Sequence, residues 1–256
     1  MIKISLITVC LNSADTIRDT ILSVLAQDYA NIEHIIIDGG STDGTLEIIS
    51  EFKGQVAAVV SEKDSGIYDA MNKGICLASG DIVGTINSDD VYSDSRVISN
   101  VVNEFLVSGA QSVYADLEIV ARNNLSQRVR FYGSSKFRVS KFRWGWMPPH
   151  PTFFVRRDCY KKLGLYKTNY RVAADFELLA RFLHRDKISF RRLPKCIVKM
   201  REGGVSSQGV WGRIHQNLEI VRACKENHIY TNFFLILFKV PLKLLEYTGI
   251  GLTHRR

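Results

Sequence analysis

Apolar runs near the start of the chain stop at acidic residues, and no other feature constrains the fold as much. Asp38 follows Ile35-Ile36-Ile37, Asp64 follows the run 56–60, and Asn87-Ser88-Asp89-Asp90 follows the run 82–86. Between these runs, apolar residues recur with helical spacing, as do Ile17, Ile21, Leu22, Val24 and Leu25 over 14–27. Strands alternating with helices predict an open, mostly parallel α/β sheet. The ligand crevice of such a sheet lies outside the carboxyl ends of its strands, so Asp38, Asp64 and Asp89 are expected to converge, with Asp175 joining them. Gathered carboxylates suit a sugar diphosphate bridged by a divalent cation, because a hard cation takes oxygen ligands.

The alternation predicts a strand at 4–11, with Asn12 as a helix cap and Asp15 near the positive helix end. A strand at 32–37 and a helix carrying Leu46, Ile48, Ile49 and Phe52 follow. Helices at 67–78 and 94–106 then flank a strand at 82–86. Beyond residue 111 the pattern changes to a hairpin, 112–121 with 127–132, turning at Asn123-Asn124. The stretch 134–146 mixes Lys136, Arg138, Lys141 and Arg143 with Phe137, Phe142, Trp144 and Trp146, and is expected to be a mobile loop over the site. The two tryptophans either stack on a sugar, sit in a membrane interface or simply pack. Helices at 157–163 and 172–184 and strands at 188–190 and 196–200 complete this half. The expected division is a domain over 1–210, with a nucleotide-sugar-binding half over 1–110 and an acceptor half over 111–210, and a helical extension over 211–256.

That extension holds a helix at 210–228 and an apolar run at 233–238 followed by Lys239, Lys243 and Glu246. The run is far shorter than the roughly 20 residues of a membrane span. Either it lies in the membrane interface or it packs on the core. Lys plus Arg exceed Asp plus Glu by 34 − 26, a net charge of +8, which favours an anionic partner. Five scattered cysteines without zinc spacing argue against a disulfide framework and fit a reducing compartment. The amino terminus enters a strand directly, so no export signal is expected.

Each candidate has an ordinary reading beside a functional one. Asp89 can hold a metal, and Asn87 can contact ribose or a metal-bound water, or the cluster including Ser88 can cap a turn. Asp38 can accept from a base N–H or be a turn aspartate. Asp64 can meet a ligand or cap the next helix. His150, rigid between Pro149 and Pro151, faces a substrate or is structural. Arg201, before Gly203-Gly204, is either a cationic clamp on phosphates or one residue of a surface loop.

Taken together, Ser5-Leu6-Ile7-Thr8-Val9 with Asn12, Ile37-Asp38-Gly39-Gly40-Ser41-Thr42-Asp43-Gly44, Asp64-Ser65-Gly66-Ile67-Tyr68-Asp69-Ala70-Met71-Asn72-Lys73-Gly74 and Asn87-Ser88-Asp89-Asp90 resemble family 2 glycosyltransferases. The branch it resembles builds bacterial surface polysaccharides, including colanic acid. Pro149-His150-Pro151, Ala174-Asp175-Phe176-Glu177 and Gly203-Gly204-Val205-Ser206 extend the likeness to about residue 210. The resemblance implies a GT-A fold, inverting transfer, and Mn2+ or Mg2+ on the donor diphosphate. It implies donor contacts at Thr8, Asn12, Asp38, Asp64, Asn72, Asn87, Ser88, His150 and Arg201. Asp89 matches the metal-binding end of the Asp-x-Asp motif, and Asp175 matches the catalytic base. Two departures stand out: Asn87 replaces the first motif aspartate, and Met71 stands where many members carry Arg.

An acceptor hydroxyl is a poor nucleophile, so a carboxylate must take its proton as the glycosidic bond forms. The expected donor is UDP-linked, the acceptor a saccharide or lipid-linked saccharide, and the place the inner face of the cell membrane. A sugar-nucleotide nucleotidyltransferase is an alternative, but the Gly-rich triphosphate loop it needs is lacking near 6–13. A basic membrane- or nucleic-acid-binding module is another. Acidic strand ends argue against nucleic acid as the partner.

Overall fold

The computed structural model describes residues 1–203 and 209–237. Its amino-terminal half alternates β1 (Ile4–Cys10), α1 (Ile17–Leu25), β2 (Ile32–Asp38), α2 (Thr45–Ser50), β3 (Ala58–Ser61), α3 (Ile67–Leu77) and β4 (Ile82–Asn87). These four strands run parallel in the order β3-β2-β1-β4. Their carboxyl ends therefore meet at one edge, as the acidic run ends required.

Side chains alternate across a strand, which explains why both faces need cover. Cys10 and Ile36 lie with Ile17 and Ile21 of α1 and Ile49 of α2. Ile7, Val9, Ile35 and Ile37 point the other way and pack on Met71 and Ile75 of α3. Gly74 lets α3 approach closely: a Cβ there would lie 2.4 Å from Ile7 Cγ2.

β5 (Asp90–Tyr92) and α4 (Val97–Ser108) follow, then the hairpin of β6 (Ser112–Ala121) and β7 (Asn124–Tyr132). Further along come β8 (Phe154–Arg156), α5 (Arg157–Leu163), α6 (Ala174–Ala180), β9 (Phe190–Arg201), α7 (Gly209–Glu226) and α8 (Phe233–Leu237). The sheet continues from β4 through β8, β6 and β9 to β5, with β7 paired on β6. β8 is antiparallel to both β4 and β6, so the sheet is mixed. At that seam Gly84 faces Phe154, whose ring would lie 2.4 Å from an added Cβ.

Several expectations need correction. The stretch 134–146 is no loop over the site: it holds a 3-10 helix, Val139–Trp144, and buries Phe137 and Phe142. The edge-to-face contacts of Phe142 with Phe137 and Phe176 anchor it in the core. The separate strands at 188–190 and 196–200 are one strand, β9, because residues on either side of Pro194 pair with β6 across a register shift. The helix at 172–184 is α6 followed by a π-helical segment, Arg181–Arg185. Asn12 does not cap α1. It adopts φ 49°, its side-chain oxygen accepts from Thr42 N at 2.9 Å, and α1 starts at Ile17.

Ile220, Ala223, Cys224, Ile229 and Ile236 join the same core as Phe142 and Phe176, so α7 and α8 pack against the mixed half. The expected tail features beyond Leu237, including Lys239, Lys243 and Glu246, lie outside the described residues, as does the Gly204-Val205-Ser206 stretch. Among the described residues no helix is long and apolar enough to cross a membrane.

Candidate active site

The carboxyl ends of β1 and β2 form the first wall of the site. Asp38 is fully buried, and its Oδ2 accepts from Gly40 N at 3.1 Å, Ser41 N at 3.0 Å and Ser61 Oγ at 2.7 Å. Ser41 Oγ donates to Oδ1 at 2.5 Å. Burial alone would raise the Asp38 pKa, but the bonds from Ser41, Ser61 and Gly40 outweigh it and hold the carboxyl below its ordinary value. Asp38 thus shapes the turn after β2. Asp64 lies directly above that turn: its Oδ2 would be 2.6 Å from a Cβ on Gly39, while its Oδ1 accepts from Gly66 N at 2.9 Å. Glycine at 39 is what admits the second carboxylate.

A second wall sits at the end of β4. Ser88 Oγ and Ser13 Oγ are 2.8 Å apart, and Thr20 Oγ1 donates to the carbonyls of Ser88 and Asp90 at 3.0 and 2.7 Å. These bonds tie the acidic turn to the start of α1. Asn87 Nδ2 donates to Asp90 Oδ2 at 3.1 Å, so the amide that replaces the first motif aspartate steadies its neighbour. Asp90 is fully buried, and burial followed by the nearby Asp89 charge pushes its pKa well up. Asp89 is half-buried, and its pKa is also raised by burial, with Arg201 and Arg122 pulling the other way. Its carboxylate forms no ion pair among the described residues.

Arg201 does not sit in the surface loop that was the alternative to a phosphate clamp. It ends β9, is buried, and donates through Nη1 to the Asp89 carbonyl at 2.8 Å and through Nη2 to Asp19 Oδ2 at 2.5 Å. A groove of about 470 Å³ lined by Asp19, Arg122, Asn124 and Arg201 adjoins it.

The third group of residues surrounds Asp175, in the first turn of α6. Phe176 N donates to Asp175 Oδ1 at 2.7 Å, and the Tyr68 hydroxyl reaches the same oxygen at 3.4 Å. Tyr68 also donates to the Val172 carbonyl at 2.8 Å and stacks on Tyr166 with centroids 5.8 Å apart. His150 is buried within 2.6 Å of the Tyr166 hydroxyl through Nε2. Burial raises the Asp175 pKa, while His150, Phe176 N and Tyr68 lower it to a lesser degree. Burial depresses the His150 pKa, with the Asp175 charge pulling the other way. A carboxylate whose pKa is raised by burial suits proton abstraction.

Two sequence candidates lie elsewhere. Thr8 is fully buried inside β1, with its hydroxyl 2.8 Å from His34 Nε2 on the adjacent strand, so it contacts no crevice. Asn72 donates to the Tyr166 carbonyl at 2.8 Å and accepts from Tyr166 N at 2.9 Å. It pins the Tyr166 loop to α3, and both ends of its amide are engaged there. Tyr68, Tyr166 and Asp90 were missed as site residues. Tyr68 and Asp90 stand inside quoted motifs, and Tyr166 carries no local sign. A second groove, about 380 Å³, runs past Ser65, Tyr68, Tyr170, Arg171 and Glu219. Neither groove is lined by Asp38, Asp89 or Asp175 themselves.

The fold matches solved structures across nearly the whole chain. Residues 1–349 of S. aureus TarS align over 99% of this chain and 73% of that one, with 17% identity and a TM-score of 0.67. Of a longer TarS structure the chain spans only 44%. A mannosyltransferase from Pyrobaculum calidifontis, solved with GDP-Man and Mn2+, aligns over 98% and 70%, with 20% identity and a TM-score of 0.65. A parallel half with acidic strand ends joined to a mixed half is the GT-A architecture, and the protein is a glycosyltransferase. It belongs to glycosyl transferase family 2, whose family model matches residues 5–164. A glycosyltransferase of Mycobacterium tuberculosis is 36% identical over 180 residues, covering 70% of this chain and 68% of the relative. A PGL/p-HBAD biosynthesis glycosyltransferase of Mycobacterium bovis is 27% identical over 218 residues, covering 79% and 78%.

Proposed function

We propose that this enzyme transfers a sugar with inversion from a UDP-linked donor to a hydroxyl of a saccharide or lipid-linked saccharide, in bacterial surface polysaccharide synthesis. The observation that carries this reading is the setting of Asp175: a carboxylate in the first turn of α6, touched by Tyr68, with its pKa raised by burial and within electrostatic reach of His150. Asp175 takes the proton of the acceptor hydroxyl as that oxygen bonds to the anomeric carbon. The bond from that carbon to the diphosphate oxygen breaks, and the nucleoside diphosphate leaves. A single displacement needs no covalent enzyme intermediate and inverts the anomeric centre.

Among the described residues no cluster of three or more His, Cys, Asp or Glu side chains is arranged to enclose a metal ion. The half-buried Asp89 carboxylate, without an ion pair among the described residues, fits a cation held mainly by donor phosphates, which is how Mg2+-like ions are usually bound. When bound, such a Mn2+ or Mg2+ ion offsets the charge that builds on the leaving diphosphate. Asp64 and the turn shaped by Asp38 bind the nucleoside end of the donor, and Asn87 and Ser88 keep Asp89 oriented.

Peripheral binding at the inner membrane face belongs to the same proposal. The net charge of +8 and the exposed Tyr230 and Phe234 support it. Thermal shifts with UDP-, GDP- and dTDP-sugars in the presence of Mn2+ identify the donor, since a ligand of the native state raises its stability. Asp175→Asn should keep donor binding and lose transfer by roughly 10²–10⁴-fold. Transfer at the parental rate would reject Asp175 as the base.

A further inference from the structure

α6 begins without a cap of its own: Ala173 occupies the cap position and offers no side-chain acceptor. The first N–H groups of a helix and of the turn before it need partners. Here they find one in α7, far along the chain. Glu219 Oε1 accepts from Arg171 N at 2.7 Å, and its Oε2 accepts from Val172 N at 2.9 Å and Ala173 N at 2.8 Å. One carboxylate thus gathers three consecutive backbone amides immediately before α6, whose second residue is Asp175.

Neighbouring residues on the same helix hold the same segment. Arg222 lies over the Tyr170 ring at 4.5 Å and donates to the Asn169 carbonyl at 3.3 Å. Glu226 pairs with Lys167 at 2.8 Å. Spacings of three and four place these side chains along one face of α7. The Val172 carbonyl between the capped amides accepts from Tyr68, and Tyr68 in turn contacts Asp175.

We propose that Glu219 is a positioning residue for Asp175: it caps α6 from α7 and fixes the Arg171–Ala173 backbone that holds Tyr68 against the Asp175 carboxylate. Its catalytic meaning rests on the reading of Asp175 as the base. The cap itself can be examined without donor or acceptor.

Glu219→Ala and Glu219→Gln remove the same charge, but the glutamine carbonyl can still accept the Val172 and Ala173 bonds. Any difference between the two variants therefore reports those bonds. In the full chain, Glu219→Ala should speed amide hydrogen exchange at Arg171, Val172 and Ala173 by about tenfold or more, and Glu219→Gln should restore much of the protection. Carbon-13 NMR titration should find Asp175 protonating at higher pH in the alanine variant than in the glutamine variant, because the Tyr68 bond favours the ionised form. If Glu219→Ala folds with parental exchange and the two variants titrate alike, Glu219 positions nothing. If Glu219→Ala does not fold, Glu219→Gln against the parent decides: retained protection supports the cap, and exchange as fast as in an open loop overturns it. Full transfer by Asp175→Asn, by contrast, would remove the base reading and leave the exchange result standing.

Discussion

Tyr68 and Asp175 are 107 positions apart in the chain, yet the Tyr68 hydroxyl lies 3.4 Å from Asp175 Oδ1. Tyr68 belongs to α3 in the parallel half, and Asp175 to α6 in the mixed half. The pair joins the parallel half of the molecule to the mixed half.

The pH dependence of transfer reads this contact. Burial raises the Asp175 pKa, and the Tyr68 bond offsets some of the rise. A base works only when ionised, so activity falls as pH drops through its pKa. Tyr68→Phe removes an offset, which moves the acid limb of kcat/KM to higher pH. A limb at the parental position in the phenylalanine variant would mean that the contact is electrostatically silent.

Asp89→Ala should abolish metal-dependent donor binding while leaving the fold intact, because its carboxylate has no ion pair among the described residues to lose. Saturating donor at 100 times its Kd stabilises a protein by about 2.7 kcal/mol. That Mn2+-dependent gain in Tm should be present in the parent, absent after chelation, and absent in the variant. A variant that retains it binds metal elsewhere.

Asn72→Ala separates a structural role from a donor contact. It leaves the Tyr166 N–H and carbonyl without the partners they have at 2.9 and 2.8 Å. Unsatisfied backbone groups of this kind cost about 2 kcal/mol or more. Urea unfolding should report that loss, and calorimetry on the folded variant should return parental nucleotide affinity.

Gly84→Ala examines the seam between the two halves of the sheet. The new methyl would meet the Phe154 ring at 2.4 Å, and Phe154 is fully buried. Overpacking at such a site costs about 1–3 kcal/mol. The expected result is a lower urea midpoint with an unchanged m-value.

The parallel half was legible because its strands are covered on both faces and its helices are amphipathic. Ile35-Ile36-Ile37 reads as a strand from composition alone, and Asp38 marks its end. The mixed half was harder. Phe142 is held by Phe137 and Phe176, and a window around 134–146 carries no trace of Phe176. Thr8 shows the same limit inside a motif: strand alternation turns its hydroxyl toward His34, a neighbour supplied by β2. Asp175 was singled out through its motif, whereas Tyr68, His150 and Tyr166 gather near it only in three dimensions.

The grip of α7 on residues 167–173 bears on how such enzymes can be recombined. The family model ends at residue 164, before the segment that α7 fastens and before α7 itself. A hybrid spliced at that border would take α6, α7 and the three amides held by Glu219 from one parent and α3 from the other, so the contact of Tyr68 with Asp175 would have to re-form across the join. Splice points placed after α7 keep α3, α6 and α7 from a single parent.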